Sequence, residues 1–324
     1  IKWGQWSSTR PDIFPTSLCA ALSRLHSQAP THSFAHTRAL VEAAYRAPLN
    51  ATFDDFEREP LASGSIAQVH RATLRGQPVA VKVRHPSVIE RIVSDFTLMR
   101  AVAAVAARLP LLRGLNLKTT VSQFSETMVA QTRLDIEAEH LRRFCWNFGR
   151  WRDVRFPTVL YGSEAVLVET FEPGELMSRY TLERELGVSA EPPPALDFEL
   201  AHFVVSRGED IYLKMLLVDN LMHADLHPGN ILLDVGGTGA RRRHRRGEPQ
   251  IALIDVGMVA RLTTDESQAF IGFLNAMGAG DGAAAARCVL RFSAQQTCAN
   301  EAAFIGGMRR LFDARCRGYG GTGG

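Results

Sequence analysis

The stretch His223-Ala-Asp225-Leu-His-Pro-Gly-Asn230, taken with Ile254-Asp255-Val-Gly257 downstream, decides how this chain folds. The first places an aspartate and an asparagine on either side of a Pro228-Gly229 turn. In the second, an aspartate follows the apolar run Ile251-Ala-Leu-Ile254, the pattern of a buried strand running into a glycine turn. Asp and Asn favour turns for local hydrogen-bonding reasons, so either half alone fits an ordinary polar turn. Their order says more. An acid that can accept a proton, then an amide and a second acid that can hold Mg²⁺ on phosphate oxygens, is the layout of a phosphoryl-transfer site.

That layout needs a lysine on an upstream strand, and the chain has one. Pro60-Leu-Ala62-Ser63-Gly64-Ser65-Ile-Ala-Gln-Val69-His70 leads through the polar turn Arg75-Gly76-Gln77 to Val79-Ala-Val-Lys82-Val83. Two strands joined in this way predict a hairpin. On the second strand Val79, Val81 and Val83 share one face, and Ala80 and Lys82 the other. A lysine is seldom buried unpaired, so Lys82 among valines wants an anion, unless the strand is an edge that turns it to solvent. The small residues Ala62 to Ser65 favour the anion, because such a turn lets backbone N–H groups approach phosphate.

A strand lysine of this kind is held by a glutamate on a helix. The spacing predicts a helix over 89–112 and one long amphipathic helix over 121–148, with Val121, Phe124, Met128, Leu134, Ala138, Leu141, Cys145 and Phe148 on its apolar face. That helix carries Glu137 and Glu139, the two candidate partners. An earlier helix near His36 to Arg46 is expected to bury Ala39, Leu40, Ala43 and Ala44. Ala165-Val-Leu-Val-Glu169-Thr-Phe-Glu-Pro-Gly174 is a strand ending in a Pro-Gly turn, either a hinge between lobes or a plain strand end. Downstream, Ile231 to Leu233 forms a short strand, and Thr264 caps a helix carrying Phe270, Phe273, Leu274 and Met277. The Gly/Arg-rich insert 236–249 is expected to be a mobile hairpin tip, and 318–324 a disordered tail.

With 324 residues, nearly half apolar, the chain is long enough for two lobes with a sizeable core. Its net charge of +3 rests on Arg241, Arg242, Arg243, Arg245 and Arg246; without them the balance turns negative. No aromatic platform interleaves with those arginines, so no nucleic-acid partner is expected. Cys19, Cys145, Cys288, Cys298 and Cys316 lack metal-ligand spacing and are expected to be reduced thiols. No run reaches the ~18 apolar residues a membrane helix needs. The chain opens inside a motif, Lys2-Trp-Gly4-Gln5, and reads as a piece whose natural beginning lies upstream.

Six motifs in order carry a family resemblance: Lys2-x-Gly4-Gln5, Ala62-Ser-Gly-Ser65-Ile-Ala-Gln-Val69, Val79-Ala-Val-Lys82-Val-Arg-His-Pro86, Glu137-Ala-Glu-His-Leu-Arg-Arg-Phe144, the His223 to Asn230 stretch and Asp255-Val-Gly257. The chain resembles the UbiB/aarF-domain atypical kinases, in their eukaryotic mitochondrial branch. The resemblance implies an α+β, bilobal protein-kinase-like fold, with a helical N-terminal extension over 1–55, a small β-plus-helix N-lobe over 56–170 and a mostly helical C-lobe over 171–317. It implies ATP and Mg²⁺ as cofactors. Nucleotide contacts would come from Ala62, Ser63, Gly64, Ser65, Val69, Lys82 and Glu169, with Lys82 held by Glu137. Asn230 and Asp255 would bind the metal, and Asp225 would be the catalytic acid.

The resemblance further implies a mitochondrial, membrane-associated kinase or ATPase that supports ubiquinone (coenzyme Q) biosynthesis or distribution, with a quinone-like or phenolic lipid and a membrane surface as partners. The alternative is a nucleotide-switched pseudokinase or lipid-binding scaffold. Two departures stand out. The family's Glu-x-Asp ahead of the helix glutamate is replaced by Gln131-Thr-Arg133, with Asp135 as a substitute, and the nucleotide loop, often written with alanines, carries Gly64.

Lys2, Gly4 and Gln5 would belong to a regulatory extension folded across the place where a protein kinase admits peptide. Generic protein substrates are therefore expected to go unphosphorylated in trans. Labelled ATP with a panel of acidic and basic proteins checks this: no transfer by the chain as it stands, and transfer emerging in Lys2→Ala.

Overall fold

A computed structural model describes residues 30–106, 117–180, 196–235, 248–292 and 298–315, together with Pro15, Leu18 and Gln296. The chain divides into two compact units, 1–204 with 225–258 and 205–224 with 259–324.

In the first unit, β1 (Asp55–Phe56), β2 (Ala62–Ser63), β3 (Ala67–Leu74) and β4 (Gln77–Arg84) follow α1 (Phe34–Tyr45). The β3–β4 hairpin turns through Arg75 and Gly76, at φ 52° and 73°. Positive φ at both central residues is the type I′ turn, whose twist matches that of the flanking strands. With β6 (Val159–Gly162) and β7 (Val166–Thr170) the sheet runs β1-β3-β4-β7-β6, and β2 pairs with β3. Val79, Val81, Val83, Val166 and Val168 are wholly buried on one face, packed with Val41 of α1 and with Phe53. The inward face of α1 is Thr37, Leu40, Val41 and Ala44; Ala39 and Ala43, expected in the core, are exposed. Thr37 sets this rotation, because its hydroxyl meets His70 Nε2 at 3.2 Å and Gln68 Nε2 at 3.2 Å, two buried polar groups of β3.

After β4 come α2 (Val88–Ala106), α3 (Leu117–Ala130) and α4 (Leu134–Asn147). The single helix expected over 121–148 is thus two. At the break, the Thr132 hydroxyl donates to the Val129 carbonyl at 2.7 Å, Arg133 is extended at φ −95° and ψ 101°, and Leu134 N–H bonds the Glu164 carbonyl. Leu134, Ala138, Leu141 and Phe144 form the buried face of α4, with Phe144 stacked on Phe156 at 5.0 Å between centroids. Asp135 and Glu137 stand in its first turn, where the helix dipole favours negative charge.

A second sheet orders β5 (Val154–Arg155), β11 (Gln250–Leu253), β10 (Ile231–Asp234) and β8 (Glu175–Leu176). Gly174 leads into β8 at φ +134°, so close to β10 that a Cβ would lie 2.9 Å from the Leu233 carbonyl oxygen.

The second unit holds the end of α5 (Phe198–Leu213), which runs into a π-helical segment, Lys214–Val218, with Lys214 on Asp219 at 2.6 Å. Asn220 brackets Leu262, donating to its carbonyl and accepting its N–H. The short strands β9 (Met222–His223) and β12 (Val259–Ala260) pair antiparallel. Three helices follow, α6 (Thr264–Ala279), α7 (Gly282–Leu290) and α8 (Glu301–Arg315), around Ala276, Ala285 and Phe312. The cap of α6 is Thr263, not Thr264. Its hydroxyl accepts from Glu266 N–H while the Glu266 carboxylate accepts from Thr263, a reciprocal capping box.

Gly174→Ala combines a backbone conformation foreign to L-residues with a backbone clash. It should destabilise the chain by about 1–3 kcal/mol or more, read as a lowered urea midpoint at unchanged slope.

Candidate functional site

The β3–β4 register sets Val69 directly opposite Lys82, and the β4–β7 register sets Ala80 opposite Glu169 and Lys82 opposite Leu167. Opposed residues in antiparallel strands share a face. Val69, Ala80, Lys82, Leu167 and Glu169 therefore line the face away from the valine core.

Lys82 is 8% exposed, and its ammonium has three acceptors. Glu137 Oε1 of α4 is at 2.6 Å, the Ile254 carbonyl oxygen beyond β11 at 2.8 Å, and Glu169 Oε1 of β7 at 3.2 Å. Of the two glutamates on α4, Glu137 is buried and Glu139 exposed. The loop around Asp255 is gripped on both sides. Lys82 holds the carbonyl before it, the Glu137 carboxylate accepts the Val256 N–H, and the Val256 carbonyl lies 3.1 Å from His140 Nδ1. Asp255 Oδ1 accepts from the Gly257 N–H at 2.9 Å.

Asn230 ends a 3₁₀ turn, Pro228–Asn230, in which His227 Nδ1 accepts the Gly229 N–H. Its carboxamide nitrogen donates to the Asp225 carbonyl at 3.1 Å, which leaves the amide oxygen for another partner, and its own carbonyl accepts the Ile254 N–H. β10 and β11, with Ile231 opposite Leu253, thereby bring Asn230 and the Asp255 loop to the same end of the sheet. Asp225 is half-buried. The loop of small residues is closed by a Gly64 N–H bond to the Ala67 carbonyl, and the Gly64 carbonyl lies 3.0 Å from His85 Nε2. A Cβ on Gly64 would meet only the Ala67 carbonyl oxygen, at an ordinary 3.5 Å, so an alanine fits there.

One cation faces several acids. Burial works to discharge Lys82, but the carboxylates of Glu137, Glu169 and Asp255 outweigh it and raise its pKa. Burial raises Glu137 despite Lys82, and it pushes Glu169 up to about 8, with Glu137 and Asp255 adding to the effect.

The family model described as the ABC1 atypical kinase-like domain matches residues 24–289, well over half the chain. The chain belongs to the ABC1 atypical kinase-like family. ABC1 relatives include a probable serine/threonine-protein kinase, abkC, of Dictyostelium discoideum, 31% identical over 93% of this chain and 50% of its own length. A probable protein kinase UbiB of Sodalis glossinidius is 32% identical over 85% of this chain and 48% of its own, and a mitochondrial ABC1 family protein of Saccharomyces cerevisiae is 28% identical over 97% and 55%. The chain spans about half the length of these relatives. Among solved structures, the Rv3197–erythromycin complex of Mycobacterium tuberculosis is similar in fold, with a TM-score of 0.52 and 23% identity over 84% of this chain and 64% of that one.

Of the residues singled out in this ABC1 sequence, Lys82, Glu137 and Glu169 come together, with the Asp255 loop bonded to the first two. Lys2, Gly4, Gln5 and the arginine run lie outside the described residues. Where the ABC1 motif would place Glu-x-Asp, Gln131 is buried with its Oε1 unpartnered, and Asp135 is engaged by Arg133 at 2.6 Å. Two participants escaped the sequence, the Ile254 carbonyl and His140. Glu169 carried a usable signal: an acid in an apolar strand needs a cation as much as Lys82 needs an anion.

Glu169 keeps a proton in the folded chain up to about pH 8, whereas an ordinary glutamate releases it near 4.5. Its contribution to stability is therefore full below about pH 4.5 and is lost as the pH rises through about 8. Urea unfolding at about pH 5.5 and about pH 8.5 should show this decline, and Glu169→Gln should flatten it.

Proposed function

We propose that this chain binds Mg·ATP and works as an atypical kinase or ATPase. The observation that carries this is the meeting of three elements at one nitrogen: Lys82 of β4 bonds Glu137 of α4, Glu169 of β7 and the backbone beside Asp255. Lys82 would contact phosphate, the backbone of Ala62 to Ser65 would line the phosphates, and Val69, directly opposite Lys82, would offer an apolar wall to the base. Glu169 would border the same pocket. Asn230 and Asp255 would hold Mg²⁺. An amide oxygen and a carboxylate suit an ion that keeps most of its other ligands as phosphate oxygens and waters. The ion supplies charge neutralisation to the phosphates. Asp225 would accept the proton of an attacking hydroxyl or water, and Lys82 would orient the phosphate chain.

The acceptor side is read from a cavity of about 670 Å³ whose wall includes Gly64, Ser65 and Ile66. Its floor is apolar, with Ile92, Phe96, Met99, Phe124 and Met128. At its mouth His32 Nδ1 and His85 Nδ1 are 2.7 Å apart, and burial together with the neighbouring imidazoles lowers His32 to about 4. A largely apolar volume with His32, His85, Arg91 and Asp95 as polar lining suits an amphiphile with a polar head, such as a phenolic or quinone-like lipid. Leu98, Val102 and Val105 of α2 are exposed at helical spacing and would meet a membrane surface. No helix among the described residues is long and apolar enough to cross one. A role supporting ubiquinone biosynthesis or distribution in mitochondria fits this ligand, and two of the yeast relatives are named as mitochondrial.

The scaffold reading, in which nucleotide acts as a switch without transfer, draws on the three protein oxygens that already surround the Lys82 ammonium. Phosphate release with and without an alkylphenol separates the two. Asp255→Asn should abolish Mg-dependent nucleotide binding, whereas Asp225→Asn should leave affinity within about twofold and remove turnover. Calorimetry beside a phosphate-release assay checks both; equal loss of affinity would reverse the assigned roles.

A further inference from the structure

An ammonium has three N–H donors and no more. Lys82 donates to Glu137 and to the Ile254 carbonyl, and the Glu169 carboxylate pairs with it at 3.2 Å, so a phosphate oxygen drawn to Lys82 enters a shell of three oxygens. The three acceptors are not held equally. The Ile254 carbonyl is fixed by its backbone, since the same residue's N–H is bonded to the Asn230 carbonyl. Glu137 makes the shortest contact, 2.6 Å, and its carboxylate also receives the Val256 N–H. Glu169 makes the longest, 3.2 Å, and its other oxygen, Oε2, is buried with no hydrogen-bond partner. At 2% exposure, it has no water to replace a lost cation.

Resting on the nucleotide reading above, we propose that Glu169 competes with nucleotide phosphate for Lys82 and so sets the affinity for phosphorylated ligands. It is the partner that gives way, and above about pH 8, where it carries its charge, it also opposes the incoming anion. The charged or titratable groups facing it are Lys82 on β4, Glu137 and the Cys145 thiol on α4, and Asp255 in the loop after β11. Lys82 is the one cation among these groups, so each phosphate that arrives adds negative charge to a cluster rich in carboxyl groups. Burial on one face with Lys82 also explains why an acid sits in a strand whose other residues are apolar.

The competition acts on phosphate and not on the base, which gives it a signature. Glu169→Gln preserves size and an acceptor oxygen while removing the ionisable carboxyl. ADP and ATP, titrated calorimetrically at about pH 8.5 into the whole chain with and without Mg²⁺, should bind on the order of tenfold tighter to Glu169→Gln than to wild type. Adenosine should bind both alike. Glu169→Met, which takes this carboxyl away from Lys82, should move affinity in the same direction, and serves if the glutamine variant fails to fold. A purely structural Glu169, needed to aim Lys82, gives the opposite sign. Unchanged or weaker ADP binding, or a gain shared equally by adenosine, overturns the proposal. Lys82→Met is the control for the underlying reading. If wild type binds ADP and Lys82→Met does not, that reading stands, and the Glu169 variants decide the competition alone. If no variant binds nucleotide through Lys82, both fall.

Discussion

Burying the Lys82 ammonium inside a sheet is the constraint on which the first unit depends. Stripping water from such a charge costs several kcal/mol, and only close acceptors with good geometry offset it. They cannot come from β4 itself, whose inward positions are valines. They arrive from a neighbouring strand, a helix and a distant loop: Glu169 of β7, Glu137 of α4 and the Ile254 carbonyl beyond β11. Removing one member of such a group strands the others, which is why a buried cluster is costly to break even when it adds little net stability. The valine face supplies the compensating burial. Val79, Val81 and Val83 anchor the strand from behind with no exposed surface, so the sheet can devote its other face to polar chemistry.

Much of this was legible in the sequence because its logic is local. A lysine alternating with valines, a helix glutamate, and an aspartate at the end of an apolar run each announce their need for a partner. The hairpin turn was also readable, since Gly76 and its polar neighbours suit positive φ. Long-range register was not. Whether Glu169 faces Lys82 depends on the β4–β7 pairing, and a slip of one residue would turn it to the valine side. The break between α3 and α4 was hidden for a different reason: both helices keep apolar residues at helical spacing, and only the Thr132 hydroxyl and the bond to Glu164 reveal the interruption. The face of α1 was misjudged by one position because Thr37 joins a buried polar network instead of facing solvent.

The proposed site draws its polar residues from short connections whose backbones are fully committed. Asn230 is fixed through its carboxamide nitrogen and its carbonyl, and Asp255 through the residues on either side of it. This is preorganisation by neighbours: the groups proposed to hold a cation are aimed mostly by backbone bonds, with one Asp255 oxygen held by the Gly257 N–H. The His85 contact to the Gly64 carbonyl does the same for the loop of small residues, and joins it to the wall of the cavity lined by α2 and α3.

The grip of α4 on the Asp255 loop bears on how inherited substitutions would express themselves. Leu141 and Phe144 touch none of the polar groups, yet they seat the helix whose Glu137 and His140 hold Val256 on both sides. A mild change at either position would reach the Asp255 loop through the seating of α4, and so would act on the proposed metal site from the apolar side of the helix.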